Sequence, residues 1–219
     1  MDTLTAMSAP GQLTHRDREI LVALLTRVRL FSQRQLAETW FHSEVANARR
    51  RLRFLEGAGL VQSIQVAARP LPPVDSPVFC WKPGDLPPDA GAVSFQLVRR
   101  WKGRAVRFMT AVVATHEAQR LCGGRGRKQL PHPTQATHDL GVAAVWLSLR
   151  RQQSPLADAW RGEDLLAADR EGGKLPDAFL VDSSDRVTAA IEFGGAYRPE
   201  RVRDFHEHCS DRSLPYWLY

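Results

Sequence analysis

The chain has 219 residues, of which 43% are hydrophobic and 25% charged, a composition typical of a globular protein with one large or two small domains. No apolar run reaches the length of a membrane helix, the N-terminus lacks a signal-peptide core, and the three cysteines form no CxxC pair, which excludes a membrane span, a disulfide framework and a zinc knuckle. The net charge is +6, and residues 1–130 carry 20 Lys and Arg against 10 Asp and Glu, whereas residues 131–219 carry 10 against 14. We therefore expect a cytoplasmic protein with a basic, polyanion-binding first part and an acidic second part.

Three short helices are predicted near the start of the chain. Thr14 is expected to cap the first, in which apolar residues recur at helical spacing. Ser32 and Gln35 form a capping box for the second helix. The third helix is expected to begin after a cap at Ser43 and to end at Gly57.

The third helix is rich in arginine and is the candidate DNA-contacting element. Its apolar residues between Val45 and Leu55 fall on one side, and polar residues fall opposite them. A helix fits the major groove of duplex DNA, where Asn47 and Arg50 are suited to read base edges and the other arginines to contact phosphates. A solvated charged face and a protein-docking helix are the alternatives. The candidate DNA-binding residues are Ser43, Asn47, Arg49, Arg50, Arg51, Arg53 and Arg69.

Two strands, 60–68 and 78–82, are predicted after the third helix, joined by a proline-rich tip that begins at Arg69. Three helices followed by a two-stranded wing make a winged helix-turn-helix, which we expect over residues 13–83. The phrase "LRFLEGAGLVQ" resembles the junction between recognition helix and wing in many bacterial winged-helix proteins.

Residues 84–130 are interpreted as basic connecting helices. A helix is expected to end near Gly103, and the apolar stretch 105–121 fits a strand or a helix, with helix favoured in its second part. A second basic cluster and the glycine-interrupted loop 123–128 are candidates to extend a phosphate-binding track, although no P-loop motif is present. The cluster consists of Arg99, Arg100, Lys102, Arg104 and Arg107.

Residues 131–219 predict a small α/β domain. A buried helix is expected first, then a short strand around Trp160, strands 177–182 and 187–193, a helix 199–209 and a last strand 215–218. His138, near the start of the first helix, is expected to cap or to pack. The predicted fold class is therefore α+β, with a winged helix-turn-helix followed by a small α/β domain.

The pattern "LPDAFLV…RVTAAIEFGG…RVRDFHEHC…LPYWLY" resembles the bacterial replication-relaxation family of plasmids and mobile elements. The resemblance covers nearly the whole chain and is carried by the strand order and by the Pro-Asp…Glu pair. It implies an N-terminal winged helix and a second half similar to the PD-(D/E)xK nuclease fold.

An active nuclease of that fold has an Asp at the start of one strand and a Glu-x-Lys on the next. Asp177 and Glu192 match the acidic positions, but the lysine position holds Gly194, and Arg198 is the nearest cation. Arginine stays protonated and cannot act as a base. If the site is active, Asp177, Glu192 and Arg198 would be catalytic.

A metal at this site would be Mg²⁺, held by Glu163, Asp177 and Glu192. The alternative interpretation makes Asp177 a strand-entry residue and pairs Glu192 with Arg198 or Arg201. Because the lysine is missing, we favour a site without a metal, without another cofactor and without catalytic activity.

The leading hypothesis is a sequence-specific protein that binds double-stranded DNA of a plasmid or mobile element and regulates replication, transfer or transcription. We expect a homodimer, since winged helices usually gain affinity over two half-sites, and contacts with a protein partner through the nuclease-like domain. The alternatives are a Mg²⁺-dependent DNA endonuclease and a winged-helix protein–protein adaptor.

Overall fold

The computed structural model describes residues 12–124, 135–166 and 176–219, which form a mixed α+β structure with two β-sheets. None of the helices in these ranges is long and apolar enough to cross a bilayer. The predicted α+β class is thus confirmed.

The first part of the chain contains helix α1 (His15–Thr26), strand β1 (Phe31–Ser32), helix α2 (Gln33–Trp40) and helix α3 (Val45–Gly57). The predicted caps at Thr14 and Ser32 are confirmed, and both are capping boxes. The cap predicted at Ser43 is wrong, because Ser43 adopts a left-handed conformation (φ 66°) and its N–H bonds to the Ala37 carbonyl in the preceding turn. Glu44 is the N-cap residue of α3 instead, without a side-chain cap bond.

A three-stranded antiparallel sheet joins β1 to two long strands, β2 (Val61–Ala68) and β4 (Arg107–Ala114), in the order β1-β4-β2. Strand β2 pairs with β4 along its whole length. The predicted hairpin between 60–68 and 78–82 is therefore wrong. Strand β4 is the central strand of this sheet, and its Val112 and Ala114 are buried against the helices.

The segment between β2 and β4 holds strand β3 (Phe79–Trp81) and helix α4 (Ala90–Arg99), and helix α5 (His116–Cys122) follows β4. The stretch 105–121, for which strand and helix were both open, contains strand β4 followed by helix α5, so the connecting segment is not made of helices alone. Residues 125–128 of the glycine-rich loop, and the domain boundary predicted at 130/131, lie outside the described residues.

The C-terminal part contains α6 (Ala136–Arg151), α7 (Leu156–Ala159), β5 (Trp160–Gly162), α8 (Glu163–Leu166), β6 (Ala178–Val181), β7 (Val187–Glu192), α9 (Pro199–Ser210) and β8 (Tyr216–Leu218). The predicted order of helix, three strands, helix and strand is confirmed. The second sheet has the order β3-β8-β7-β6-β5, in which β7 and β8 are parallel and the other pairs antiparallel. Strand β3 matches the strand predicted at 78–82, but it forms the edge of this sheet, paired with β8, and not a wing strand beside β2.

The two halves share one core. Trp146 of α6 packs against Phe31 and Trp40 with ring centroids 6.0 and 6.3 Å apart. Gly162 lies so close to Arg27, just after the C-terminal end of α1, that a Cβ on residue 162 would be 2.5 Å from the Arg27 carbonyl oxygen. This contact requires glycine and fixes β5 against the first part of the chain.

Candidate nucleic-acid interface and carboxylate site

The outward face of α3 is basic. Arg49, Arg50 and Arg53 are exposed, whereas Ala48 and Leu52 on the opposite face are buried. Helix α3 therefore buries its apolar stripe and exposes its arginine-rich face, as the sequence predicts. At the start of this helix Val45 departs from the predicted stripe, because 40% of it is exposed.

Asn47 and Arg50 form one polar unit on this face. Both are exposed, and an Nη2 of Arg50 donates to Oδ1 of Asn47 over 3.0 Å. The nearby Nε of Arg49 donates to Gln33 Oε1 on α2 at 3.4 Å. Arg50 retains most of its donors toward solvent, which suits it to a bidentate acceptor such as a guanine edge.

Arg51 has a different environment from its neighbours. Its Nε and Nη2 donate to the two carboxylate oxygens of Asp17 at 2.9 and 2.5 Å, and its guanidinium stacks on the Phe54 ring at 4.2 Å. Asp17 is fully buried; burial tends to raise its pKa, but the bonds from Arg51 and Thr14 lower it below the ordinary value. Arg51 thus joins α3 to α1 and is not oriented as a DNA contact.

Arg69 follows β2 and lies apart from α3. Its N–H donates to Thr137 Oγ1 at 3.0 Å, next to the start of α6. Because β2 does not form a hairpin with β3, Arg69 is not at the tip of the predicted wing. It lines a surface groove together with Trp101, Thr137 and His138.

The two acids predicted on neighbouring strands do lie together. Asp177 precedes β6, Glu192 ends β7, and the Asp177 N–H donates to Glu192 Oε2 at 3.1 Å. Asp177 Oδ2 accepts from the Phe193 N–H at 2.7 Å. The Tyr197 hydroxyl donates to Glu192 Oε1, which also lies 3.8 Å from Arg201. The pairing of Glu192 with Arg201, given as the alternative interpretation, is thus present.

His138 completes this carboxylate site, with Nε2 2.7 Å from Asp177 Oδ1. Burial tends to lower the pKa of His138, but the Asp177 carboxylate outweighs it and raises the pKa to about 9. The imidazolium is therefore the cation that faces both acids. Sequence reasoning expected only capping or packing from His138, and it also passed over Tyr197.

Glu192 is the most deeply buried acid of the site, with 1% of its surface exposed. Burial, and then the negative charge of Asp177, raise its pKa well above the ordinary value. Burial likewise raises the pKa of the Tyr197 hydroxyl, which keeps it protonated as a donor to Glu192.

The position of the expected lysine is closed. Gly194 is buried, and a Cβ there would lie 2.9 Å from methyl carbons of both Leu97 and Leu218. A longer side chain at this position has no space without displacing these leucines. Arg198, the substitute cation considered from sequence, is exposed just before α9, whereas Arg201 is the one that approaches Glu192.

Glu163, the third carboxylate considered for a metal, is turned toward Arg29. Arg29 Nη2 lies 2.7 Å from Glu163 Oε2, and its Nη1 lies 3.3 Å from Asp139 Oδ1. Within residues 12–124, 135–166 and 176–219, no three His, Cys, Asp or Glu side chains are grouped as metal ligands. Since the oxygens of Asp177 and Glu192 are already held by His138, Tyr197 and backbone N–H groups, the donor set does not fit Mg²⁺.

No protein-family model matches the chain, and neither a curated protein nor a solved structure is similar enough to count as a match.

Proposed function

We propose that the chain is a double-stranded DNA-binding protein that contacts the duplex through α3 and the β2–β4 ribbon. The observation that carries the proposal is the outward face of α3, where Asn47, Arg49, Arg50 and Arg53 are all exposed. The element order α1-β1-α2-α3-β2, with β4 completing the three-stranded antiparallel sheet after the intervening β3 and α4, supports a winged helix-turn-helix. The wing in this proposal is β2 with β4.

Base edges and phosphates are assigned to different residues of the interface. Asn47 and Arg50, near the first turns of α3, are proposed to read bases, and Arg49 and Arg53 to contact phosphates. Ser43 stays in the proposed interface because it is exposed directly before α3. Arg51 is left out of it, because Asp17 holds its guanidinium.

The second sheet supports a nuclease-like domain that does not cut DNA. Its order α6-β5-β6-β7-α9-β8, with acids at the start of β6 and the end of β7, agrees with the PD-(D/E)xK resemblance. The closed position at Gly194 and the bonds already made by Asp177 and Glu192 argue against hydrolysis. We propose that this domain contributes contacts within a homodimer or with a protein partner.

The resemblance to the replication-relaxation family is the basis for the biological setting. On that basis we propose that the protein regulates replication, transfer or transcription of a plasmid or mobile element. Two copies on a duplex with paired half-sites would give it sequence specificity.

Fluorescence anisotropy with random-sequence duplex tests the proposal. Affinity should fall steeply with added salt, because released counterions drive phosphate binding. Arg53→Ala, which removes a proposed phosphate contact, should weaken binding, and Arg203→Ala, at an exposed arginine of α9, should leave it unchanged. Binding that is indifferent to salt, or no binding at low salt, would instead favour the protein–protein adaptor.

A cleavage assay separates the binding protein from an endonuclease. Supercoiled plasmid incubated with the protein and Mg²⁺ or Mn²⁺ should stay intact. Cleavage that disappears in Asp177→Asn would establish the nuclease and overturn the non-catalytic assignment.

A further inference from the structure

Two neighbouring depressions on the surface form one groove between the β2–β4 ribbon and α4. One has a volume of about 520 Å³ and the other about 570 Å³. Arg69, Trp101 and Ala196 line both of them, so the depressions are continuous. The groove lies outside the α3 face, at the end of the ribbon where β2 ends and β4 begins.

The groove is positively charged. Arg69, Arg99 and Lys102 line it and are exposed, and among the described residues no Asp or Glu lines either depression. The sequence between residues 90 and 116 contains no acidic residue at all. Two arginines of this segment are held by backbone carbonyls: Arg100 donates to the Tyr219 carbonyl at 2.6 Å and Arg104 to the Leu71 carbonyl at 2.9 Å.

Exposed apolar side chains lie beside these cations. Phe95 and Val98 of α4 line the second depression with 65% and 47% of their surfaces exposed. Phe108 of β4 is 84% exposed and pairs across the ribbon with Ala67, which lines the first depression. Directly paired residues share one face of a sheet, so Phe108 is at the rim of the groove.

Phenylalanine rings next to cations in an open groove fit an unpaired nucleic-acid strand. Bases of a duplex are stacked on one another and present no ring faces, whereas unpaired bases stack on exposed aromatic side chains. The cations provide charge complementarity to the phosphates of the same strand. An exposed phenylalanine alone is unremarkable, but two of them along an acid-free basic groove have a common explanation in this ligand.

We propose that this groove binds a single-stranded segment of DNA, with phosphates on Arg69, Arg99 and Lys102 and unpaired bases on Phe95 and Phe108. The inference goes beyond the proposed duplex binding and does not depend on it. The groove and α3 share one side of the ribbon, since Ser63 Oγ, on the same strand face as Ala67, donates to Glu56 of α3 at 3.3 Å. One protein can thus hold a duplex and an adjoining unpaired strand.

Anisotropy with a labelled oligo(dT) of about 20 nucleotides tests this site on the full chain. Wild type should bind at low salt, and Phe95→Ala/Phe108→Ala should lose about tenfold or more in affinity, since stacking contributes strongly for each base. Phe95→Tyr/Phe108→Tyr should retain binding, and Leu86→Ala, another exposed apolar residue, should bind as wild type.

Arg53→Ala separates the two proposals, since it should weaken binding of the random-sequence duplex and leave oligo(dT) binding intact. Absence of oligo(dT) binding by wild type, or unchanged binding by Phe95→Ala/Phe108→Ala, would overturn the groove assignment whatever happens to the duplex. The groove would be assigned to a membrane surface under a different result. In that result the wild type binds phosphatidylserine vesicles and not oligo(dT), and the two alanine substitutions abolish vesicle binding.

Discussion

The imidazole of His138 lies 2.7 Å from the carboxylate of Asp177, whose backbone N–H donates to the buried acid Glu192. Asp177, Glu192 and Asp139 are the acids that face the ring and raise its pKa against the effect of burial. The protonated side chain of His138 thus offsets the negative charge of Asp177 from within the chain.

We expect the His138 pair to make stability depend on pH. The pKa of His138 is about 9 in the folded chain and 6.5 in an ordinary histidine, so the pair contributes fully below the lower value and is lost as the pH rises through the higher one. His138→Gln should cost about 1–2 kcal/mol near pH 6, less than a fully buried pair because 35% of the side chain is exposed, and little near pH 10. Urea denaturation of both proteins at both pH values measures this; a difference that stays constant with pH would contradict it.

Two arginines of α3 should separate stability from DNA binding. Arg51→Ala leaves the fully buried Asp17 without its guanidinium partner and should reduce the free energy of unfolding by about 3 kcal/mol. Arg53→Ala, two residues further along α3 on the exposed face, should change it by less than about 0.5 kcal/mol and weaken duplex binding. Equal loss of stability in the two variants would show that Arg51 is an ordinary surface residue.

Sequence reasoning succeeded where the deciding residues are close in the chain. The capping boxes at Thr14 and Ser32 each depend on a partner three residues on, and both are present. The strands around Asp177 and Glu192 were likewise predicted, because short apolar segments and polar turns alternate in this part of the sequence. The N-cap predicted at Ser43 was wrong, although its signal is also local. The turn before α3 places Ser43 in a left-handed backbone conformation, which the residue type does not indicate.

The remaining features depend on distant contacts. Strand β2 pairs with a strand that begins 39 residues after it ends, and the intervening strand β3 joins the other sheet. His138 meets Asp177 across a separation of 39 residues, which the sequence pattern does not encode. In the sequence, Arg51 has the same charge as Arg50 and Arg53 and cannot be told apart from them. Only its ion pair with Asp17 of α1 distinguishes it.

A side chain at Gly194 should destabilise the fold, because it forces the leucines around it to shift. A Cβ would lie 2.9 Å from both Leu97 and Leu218, so Gly194→Ala overpacks this part of the core and should cost about 1–3 kcal/mol. Gly57→Ala at the end of α3, where a Cβ would have no neighbour within 4 Å, is the matched control and should not destabilise. Thermal unfolding of both variants checks this. A stable Gly194→Lys protein would refute the steric closure of the lysine position.

Removing Arg29 should destabilise the fold, because this cation connects the first part of the chain to two acids of the second. Its partner Asp139 has 2% of its side chain exposed, and losing that ion pair should reduce the free energy of unfolding by about 3 kcal/mol in Arg29→Ala. The exposed pair Arg186–Asp182 serves as control, and Arg186→Ala should cost less than about 0.5 kcal/mol. Adding Asp139→Asn to Arg29→Ala should recover part of the lost stability, since the buried charge is then removed. Urea titration of the three variants measures this. A double variant less stable than Arg29→Ala would disprove the prediction.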